Sequence, residues 1–179
     1  MRYFIAIDIP KELRLEIKRY CQKYNKVKWQ PQNNQHITMR FMGEIKTNDK
    51  LEDIKESLNK VMYAPFRTYV SGYDFFPTAK SPSVFTLSLE ASKEFIGFKS
   101  EIDGALRDHG VLADRKTFKP HITLCRFKRG SHKKIVKQMT EHFADFPELD
   151  FEIDSFHLYE SRLTKGVTTH TKLESYSLY

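Results

Sequence analysis

A near-identical phrase occurs twice in this chain of 179 residues, and it constrains the fold more than any other feature of the sequence. The first copy, HITMRF, spans residues 36–41, and the second, HITLCRF, spans residues 121–127. Each copy places a histidine and a threonine two positions apart between apolar residues. Side chains two positions apart on a β-strand point to the same face of the sheet. Each copy therefore predicts a strand with one apolar face and one face that carries an imidazole and a hydroxyl.

Hydrophobic periodicity predicts that these two strands lie among alternating helices and strands. Helices are expected after Pro10, from about residue 49 to 63 with Thr47 or Asn48 as the cap, from the cap Ser92 to Gly110, and over residues 131–144. Strands are expected over residues 3–9, 65–77, 83–90, 118–127, 149–161 and 167–178, the last two joined by a turn at residues 165–166.

The element order favours a single α+β domain spanning residues 1–179. After a first strand, the order helix, strand with the His-x-Thr (HxT) phrase, helix and further strands occurs twice, and no proline- or serine-rich linker divides the chain. We expect two similar lobes that share one core and are related by an approximate twofold axis, with one HxT motif in each.

Two features of composition bear on the location of the protein. No apolar run approaches the roughly 20 residues that span a bilayer. The apolar start of the chain is short and contains Asp8, so we expect a first strand in place of a signal peptide, and a cytoplasmic protein. Cys21 and Cys125 are the only cysteines, have no zinc-binding spacing, and are expected to be buried thiols.

Two histidines that face one cleft suit the cleavage of a phosphodiester. Histidine titrates near neutral pH, so one imidazole can remove a proton from water while the other protonates the leaving oxygen. Threonine hydroxyls and an arginine can donate hydrogen bonds to the phosphate oxygens, and no metal is required. The net charge of +7 favours a polyanionic partner such as RNA.

The arginine of each phrase stands at a different distance from its histidine. Arg40 follows its histidine by four positions, and Arg126 follows by five because Cys125 is inserted. Strict alternation places Arg40 on the histidine face and Arg126 on the opposite face. Only a bulge or a strand end near Cys125 would turn Arg126 into the cleft.

The other five histidines lack a repeated context and are expected to be surface or packing residues. They are His109, His132, His142, His157 and His170.

The paired phrases resemble the signature of the 2H phosphoesterase superfamily. Further stretches, among them RYFIAIDIPKEL, PFRTYVSGYDFFP and HLYESRLTKG, are similar to its RNA 2′,3′-cyclic phosphodiesterase branch, also called 2′–5′ RNA ligase-like. The resemblance covers nearly the whole chain. It implies a bilobal fold in which antiparallel sheets line a central cleft with helices outside. It also implies metal-independent hydrolysis of RNA 2′,3′-cyclic phosphate ends to 2′-phosphates, and members of this branch can show a reversible 2′–5′ ligation in vitro.

The resemblance also implies roles for individual residues. His36 would protonate the departing 3′ oxygen, and His121 would activate water. Thr38 and Thr123 would hold phosphate oxygens. The second family phrase, HxTxxR, selects Arg126 over Arg40, which stays a weaker candidate.

Several alternatives remain open from the sequence. The chain could be a non-catalytic protein that binds RNA ends, or a phosphodiesterase for another cyclic or 2′-linked nucleotide. For the leading function we expect a monomer that acts on RNA without a cofactor. Phe41, Phe76 and Tyr159 are candidates for base stacking, and Arg162 and Lys165 are candidates for contact with the RNA backbone.

Overall fold

The computed structural model describes residues 1–112, 114–130 and 132–179. This part of the chain contains helices and antiparallel strands in alternation, which confirms the predicted α+β class. The helices are α1 (Lys11–Gln22), α2 (Asn48–Asn59), α3 (Lys93–Arg107) and α4 (Lys133–Phe143). The strands are β1 (Arg2–Asp8), β2 (His36–Glu44), β3 (Phe66–Pro77), β4 (Pro82–Leu89), β5 (His121–Arg126), β6 (Asp150–Ile153), β7 (Ser155–Thr164) and β8 (Val167–Ser177).

The first three helices begin where the sequence predicts them to begin. Helix α1 follows Pro10 directly. The Thr47 hydroxyl caps α2 by accepting a hydrogen bond from the Lys50 amide at 3.3 Å, and the Ser92 hydroxyl caps α3 in the same way. The fourth predicted helix started at residue 131, which lies outside the described residues, and α4 is observed from Lys133.

All eight strands form one antiparallel order, β6-β3-β4-β5-β2-β1-β7-β8. The two HxT strands, β5 and β2, are neighbours at its centre and pair at Ile122 and Ile37. We call β6, β3, β4 and β5 the His121 half-sheet, and β2, β1, β7 and β8 the His36 half-sheet. The half-sheets do not correspond to the two halves of the sequence, because β7 and β8 return to pair beside β1.

The single strand predicted over residues 149–161 is wrong, because two strands occupy that stretch. Strand β6 pairs with β3 at one edge of the sheet, and β7 pairs with β1 on the other side of the centre. Asp154 lies between them and marks the position at which the chain passes from one half-sheet to the other. Both segments are β-prone, so local sequence does not reveal the change of partner.

One hydrophobic core lies on a single face of the sheet and extends under both half-sheets. Ile5 and Ile37 contribute from the His36 half-sheet, and Phe85 and Ile122 contribute from the His121 half-sheet. The four helices of the described residues pack their apolar sides onto this face, so within that part of the chain the opposite face is free of helices. The buried helix residues include Leu13 and Ile17 of α1, Ile54 and Leu58 of α2, Phe95 and Phe98 of α3, and Met139 and Phe143 of α4.

Both cysteines are free thiols in the core region. Cys125 is buried and Cys21 is half-buried, so the expectation of two buried thiols is met fully only by Cys125. Burial raises the pKa of each thiol to about 12. Each thiol is therefore protonated and unreactive at neutral pH.

Within the described ranges, every helix is too short or too polar to cross a lipid bilayer.

Candidate active site

The two HxT motifs present their polar side chains on the helix-free face of the sheet. His36 and Thr38 are half-buried on β2, whereas Ile37 between them is fully buried in the core. Strand β5 repeats this pattern at His121, Ile122 and Thr123.

The register between β2 and β5 brings the two motifs together. Because Ile37 is paired with Ile122 in an antiparallel ladder, His36 lies opposite Thr123 and Thr38 lies opposite His121. Diagonal neighbours in such a ladder are about 7–8 Å apart, which separates the two histidines by the width of a phosphate group and its hydrogen bonds. The four side chains therefore form a compact square at the centre of the sheet.

Each imidazole is held by the backbone two residues before it. The Nδ1–H of His121 donates a hydrogen bond to the Lys119 carbonyl at 2.7 Å. His36 makes the corresponding backbone hydrogen bond at Asn34. In a neutral imidazole this bond keeps the proton on Nδ1 and leaves the lone pair on Nε2, which is the arrangement that a general base needs.

Two β-bulges in equivalent positions decide where the arginines point. Ile5 and Ala6 of β1 pair with Arg40 and Thr38, so Met39 is an extra residue in β2. Phe85 and Thr86 of β4 pair with Cys125 and Thr123, so Leu124 is an extra residue in β5. In both copies the residue four after the histidine turns into the protein, and the residue five after it returns to the histidine face.

The bulges place Arg126 and Phe41 at matching positions on the helix-free face. Arg126 is exposed beside Thr123, and the Phe41 side chain is 68% exposed. The bulge near Cys125 that Arg126 required is therefore present.

The expectation from strict alternation that Arg40 shares the face of His36 is wrong. The bulge at Met39 reverses its direction, and Arg40 is only 7% exposed. Its guanidinium forms an ion pair with Asp114 at 3.0 Å and approaches Asp103 of α3 at 3.9 Å.

An aromatic cluster surrounds His36. The Phe4 ring stacks on the imidazole with centroids 4.9 Å apart, and the Tyr159 ring in turn stacks on Phe4 at 5.2 Å. His170 of β8 meets His36 edge-on at 5.4 Å. His170 was expected to be a surface or packing residue, and only the path of β8 reveals its position beside the motif.

Asp8 is a charged neighbour of His36 that the sequence did not reveal. It pairs with His36 across β1 and β2. Lys172 donates a hydrogen bond to its carboxylate at 2.6 Å, and the Tyr159 hydroxyl donates another. Burial alone would raise the pKa of Asp8, but these hydrogen bonds and the charges of His157 and Lys172 together outweigh it and lower that pKa. Asp8 is therefore an anion at neutral pH.

The environment of His36 keeps its imidazole neutral. Burial lowers the pKa of His36 to about 4, and the nearby charges of His170 and His121 act in the same direction. The Asn34 backbone and Asp8 oppose this effect without cancelling it. In the free protein His36 is therefore unprotonated at neutral pH.

The other residues proposed to contact RNA lie in different surroundings. Phe76 lies 5.7 Å from His121, centroid to centroid, and the Lys119 ammonium lies over its ring. Arg162 forms an ion pair with Glu160. Lys165 occupies the β7–β8 turn with a φ of 50°.

The remaining histidines of the described chain contact groups outside the square. His157 shares a hydrogen bond with Ser175 at 2.9 Å and lies 3.5 Å from Asp8. His109, His132 and His142 bond to Ser57, Lys128 and Tyr20, respectively.

Candidate metal ligands do not cluster in the part of the chain that the structure describes: no group of three His, Cys, Asp or Glu side chains converges there.

Comparison with known proteins identifies related sequences and a shared fold. The sequence model of the 2′-5′ RNA ligase superfamily matches residues 9–165. A Thermotoga maritima protein named RNA 2′,3′-cyclic phosphodiesterase is 31% identical over 172 residues, covering 92% of this chain and 88% of its own. A Methanocaldococcus jannaschii protein of the same name is 31% identical over 167 residues, covering 92% and 93%. A crystal structure of a Thermus thermophilus protein shares the fold, with a TM-score of 0.79 at 24% identity over 99% of this chain and 97% of that one. The chain belongs to the 2′-5′ RNA ligase superfamily.

Proposed function

We propose that the protein hydrolyses RNA 2′,3′-cyclic phosphate ends to 2′-phosphates by two-histidine acid–base catalysis. The observation that carries this proposal is the β2–β5 register, which sets each histidine of one motif opposite the threonine of the other. The relatives named RNA 2′,3′-cyclic phosphodiesterase support the choice of substrate.

In the proposed reaction the phosphorus atom lies between the two imidazoles. The Nε2 of His121 removes a proton from water as the water oxygen attacks phosphorus. The bond from phosphorus to the 3′ oxygen breaks in line, and His36 protonates that oxygen. The product is a 2′-phosphomonoester and a free 3′ hydroxyl. Thr38, Thr123 and Arg126 donate hydrogen bonds to the non-bridging oxygens, where charge accumulates in the transition state.

His36 must carry a proton to act as the acid, although its pKa in the free protein is about 4. The bound phosphodiester is an anion, and an opposite charge within about 4–6 Å raises the pKa of an imidazole. We propose that substrate binding supplies this change, so that His36 gains its proton only when a phosphate is present.

The decisive experiment is hydrolysis of a nucleoside 2′,3′-cyclic phosphate in excess chelator, with the products separated and identified. We expect a 2′-phosphomonoester and a bell-shaped dependence of rate on pH. Activity that appears only after a metal is added, or a 3′-phosphate as the product, would contradict the mechanism.

Variants of the two histidines test the residue assignment in the same assay. His36→Ala and His121→Ala should each reduce kcat by about 10²–10⁴-fold, which is the usual contribution of one acid or base. His109→Ala is the matched control, because His109 bonds to Ser57, outside the square, and it should retain activity.

A protein that only binds RNA ends would give a different pattern. The purified wild type would release no product, and both histidine variants would retain the affinity of the wild type for RNA with a 2′,3′-cyclic end.

We further propose that one chain is the active unit. Both histidines, both threonines and Arg126 come from two adjacent strands of the same molecule, so the proposed chemistry needs no residue from a second copy. Turnover per chain should therefore be independent of protein concentration over a range in which light scattering reports a single molecular mass.

A further inference from the structure

His170 reaches the candidate site from an unexpected place in the sheet. Strand β8 is three positions from β2 in the strand order. In a flat sheet, three strand spacings amount to about 14 Å. The centroids of His170 and His36 are nevertheless only 5.4 Å apart, with their ring planes at 86°. The β7–β8 hairpin therefore arches over the helix-free face and covers His36.

The arch is attached next to His36 by a specific hydrogen bond. The Asn34 side-chain amide donates to the Thr168 carbonyl at 3.2 Å. Asn34 is also the residue whose backbone bonds to the His36 imidazole. One residue thus connects the hairpin to the histidine that the hairpin covers.

The His36 ring is confined from two sides by this arrangement. Phe4 stacks beneath it with an interplanar angle of 30°, and His170 contacts both rings edge-on, at 4.9 Å from Phe4. The Nδ1 of His170 is buried and has no hydrogen-bond partner within the described residues. His170 meets Phe4 and His36 through contacts of its ring.

We propose that His170 is a positioning residue for His36: its ring shields the outer side of that imidazole from water and fixes the plane in which it meets the substrate. The inference rests on the proposed function only where it concerns rate. The shielding and the orientation are properties of the free protein.

Charged and titratable groups approach His36 from every neighbouring strand. They are Asp8 of β1, His121 of β5, Tyr159 of β7, and His170 and Lys172 of β8. Asp8 raises the pKa of His36, and His170 and His121 lower it, while burial is the largest cause of its low value. Removal of the His170 ring reduces the burial of His36. It also removes a positive charge that disfavours protonation of His36, so the pKa of His36 should rise.

Two substitutions separate shielding from general damage. His170→Ala removes the ring. His170→Phe is the matched control, because it keeps an aromatic ring of similar size and breaks no hydrogen bond at Nδ1. The first measurement is titration of His36 by NMR in the absence of substrate. We expect the pKa of His36 to move from about 4 toward the ordinary value near 6.5 in His170→Ala, and to move less in His170→Phe.

The second measurement is the kinetics of cyclic phosphate hydrolysis. We expect His170→Ala to lower kcat by about 10–100-fold with little change in KM, because a displaced acid is costly while the phosphate contacts remain. The kcat of His170→Phe should stay within about threefold of the wild-type value, because the phenyl ring still holds the His36 imidazole in place. If the titration of His36 is the same in the wild type and His170→Ala, the inference is overturned, whether or not the protein hydrolyses cyclic phosphates. If the titration moves but the wild type has no activity, the proposed function fails and the positioning role of His170 stands.

Discussion

Arg40 and Arg126 lie on opposite faces of the sheet, although each follows its histidine in a copy of the same phrase. Each strand has a bulge three residues after its histidine. Arg40 is the fourth residue after the histidine and Arg126 is the fifth, so this difference of one position decides which face receives the guanidinium. Arg40 consequently pairs with acidic residues, while Arg126 stays beside Thr123.

This difference predicts that one of two matched variants loses activity and the other loses stability. Arg126→Met should lower kcat/KM by about 10²-fold, because in the proposed mechanism it removes a donor to the developing phosphate charge, and should leave the melting temperature unchanged. Arg40→Met should retain kcat/KM and lower the free energy of unfolding by about 1–3 kcal/mol, because Asp103 and Asp114 lose a charged partner. Steady-state kinetics and denaturant unfolding measure the two effects. The assignment fails if Arg40→Met is the variant that loses activity.

His36 also predicts a dependence of stability on pH. Its folded pKa of about 4 lies below the unfolded value near 6.5, so the unfolded chain binds more protons between these two values. The free energy of unfolding should therefore decrease as pH falls from 7 to 4, by up to about 3 kcal/mol from this group. Urea titrations of the wild type and of His36→Phe at both pH values measure it. Equal losses in the two proteins would show that His36 is not the cause.

The sequence predicted correctly that the histidine and the threonine of each HxT motif share one strand face, because alternation over three residues is a local property. It did not predict His170, whose contact with His36 depends on the arch of a hairpin more than 100 residues away. It also could not predict Asp8 as a partner of Lys172 and Tyr159, since those groups come from opposite ends of the chain.

At the scale of elements, helix α3 contains two glycines in different surroundings. A methyl group at Gly97 would collide with the Tyr63 hydroxyl, which donates a hydrogen bond to the Glu94 carbonyl at 2.8 Å. A methyl group at Gly104 would meet no atom within 4 Å.

These surroundings predict opposite outcomes for the same substitution. Gly104→Ala should stabilise the protein by about 0.5–1 kcal/mol, which is the gain in helix propensity. Gly97→Ala should be less stable than Gly104→Ala by more than about 1 kcal/mol, because the Tyr63 hydroxyl must leave its hydrogen bond. Chemical denaturation of the two variants gives the comparison. Equal stabilisation by both would mean that Tyr63 moves aside without cost.

Helices were easier to predict than strand partners in this chain. The caps Thr47 and Ser92 act within three residues, so their hydrogen bonds follow from the sequence. The bulges at Met39 and Leu124 are defined by a neighbouring strand, and period-two alternation contains no signal for them. The division of residues 149–161 at Asp154 likewise depends on two partners, β3 and β1, which lie far away in the sequence.

At the scale of the whole molecule, the two half-sheets share one core across the β2–β5 pair. A single domain of two similar lobes remains a prediction, and unfolding tests it. Trp29 contacts Phe85 and Phe143 beneath the His121 half-sheet, so its fluorescence reports on that side. We expect its transition to coincide with the far-ultraviolet circular dichroism of the whole chain, since a shared core unfolds cooperatively. Two separate midpoints would mean that the half-sheets fold independently.

The interleaved strand order has a consequence for biosynthesis. A ribosome releases β2 and β5, with both HxT motifs, before it releases β7 and β8. Until the hairpin emerges, the edge of β1 is unpaired and His36 lacks the cover that the hairpin provides. A nascent chain therefore carries both HxT motifs and Arg126 while the His36 half-sheet still lacks two of its four strands, so the surroundings of His36 are complete only after translation has passed residue 177.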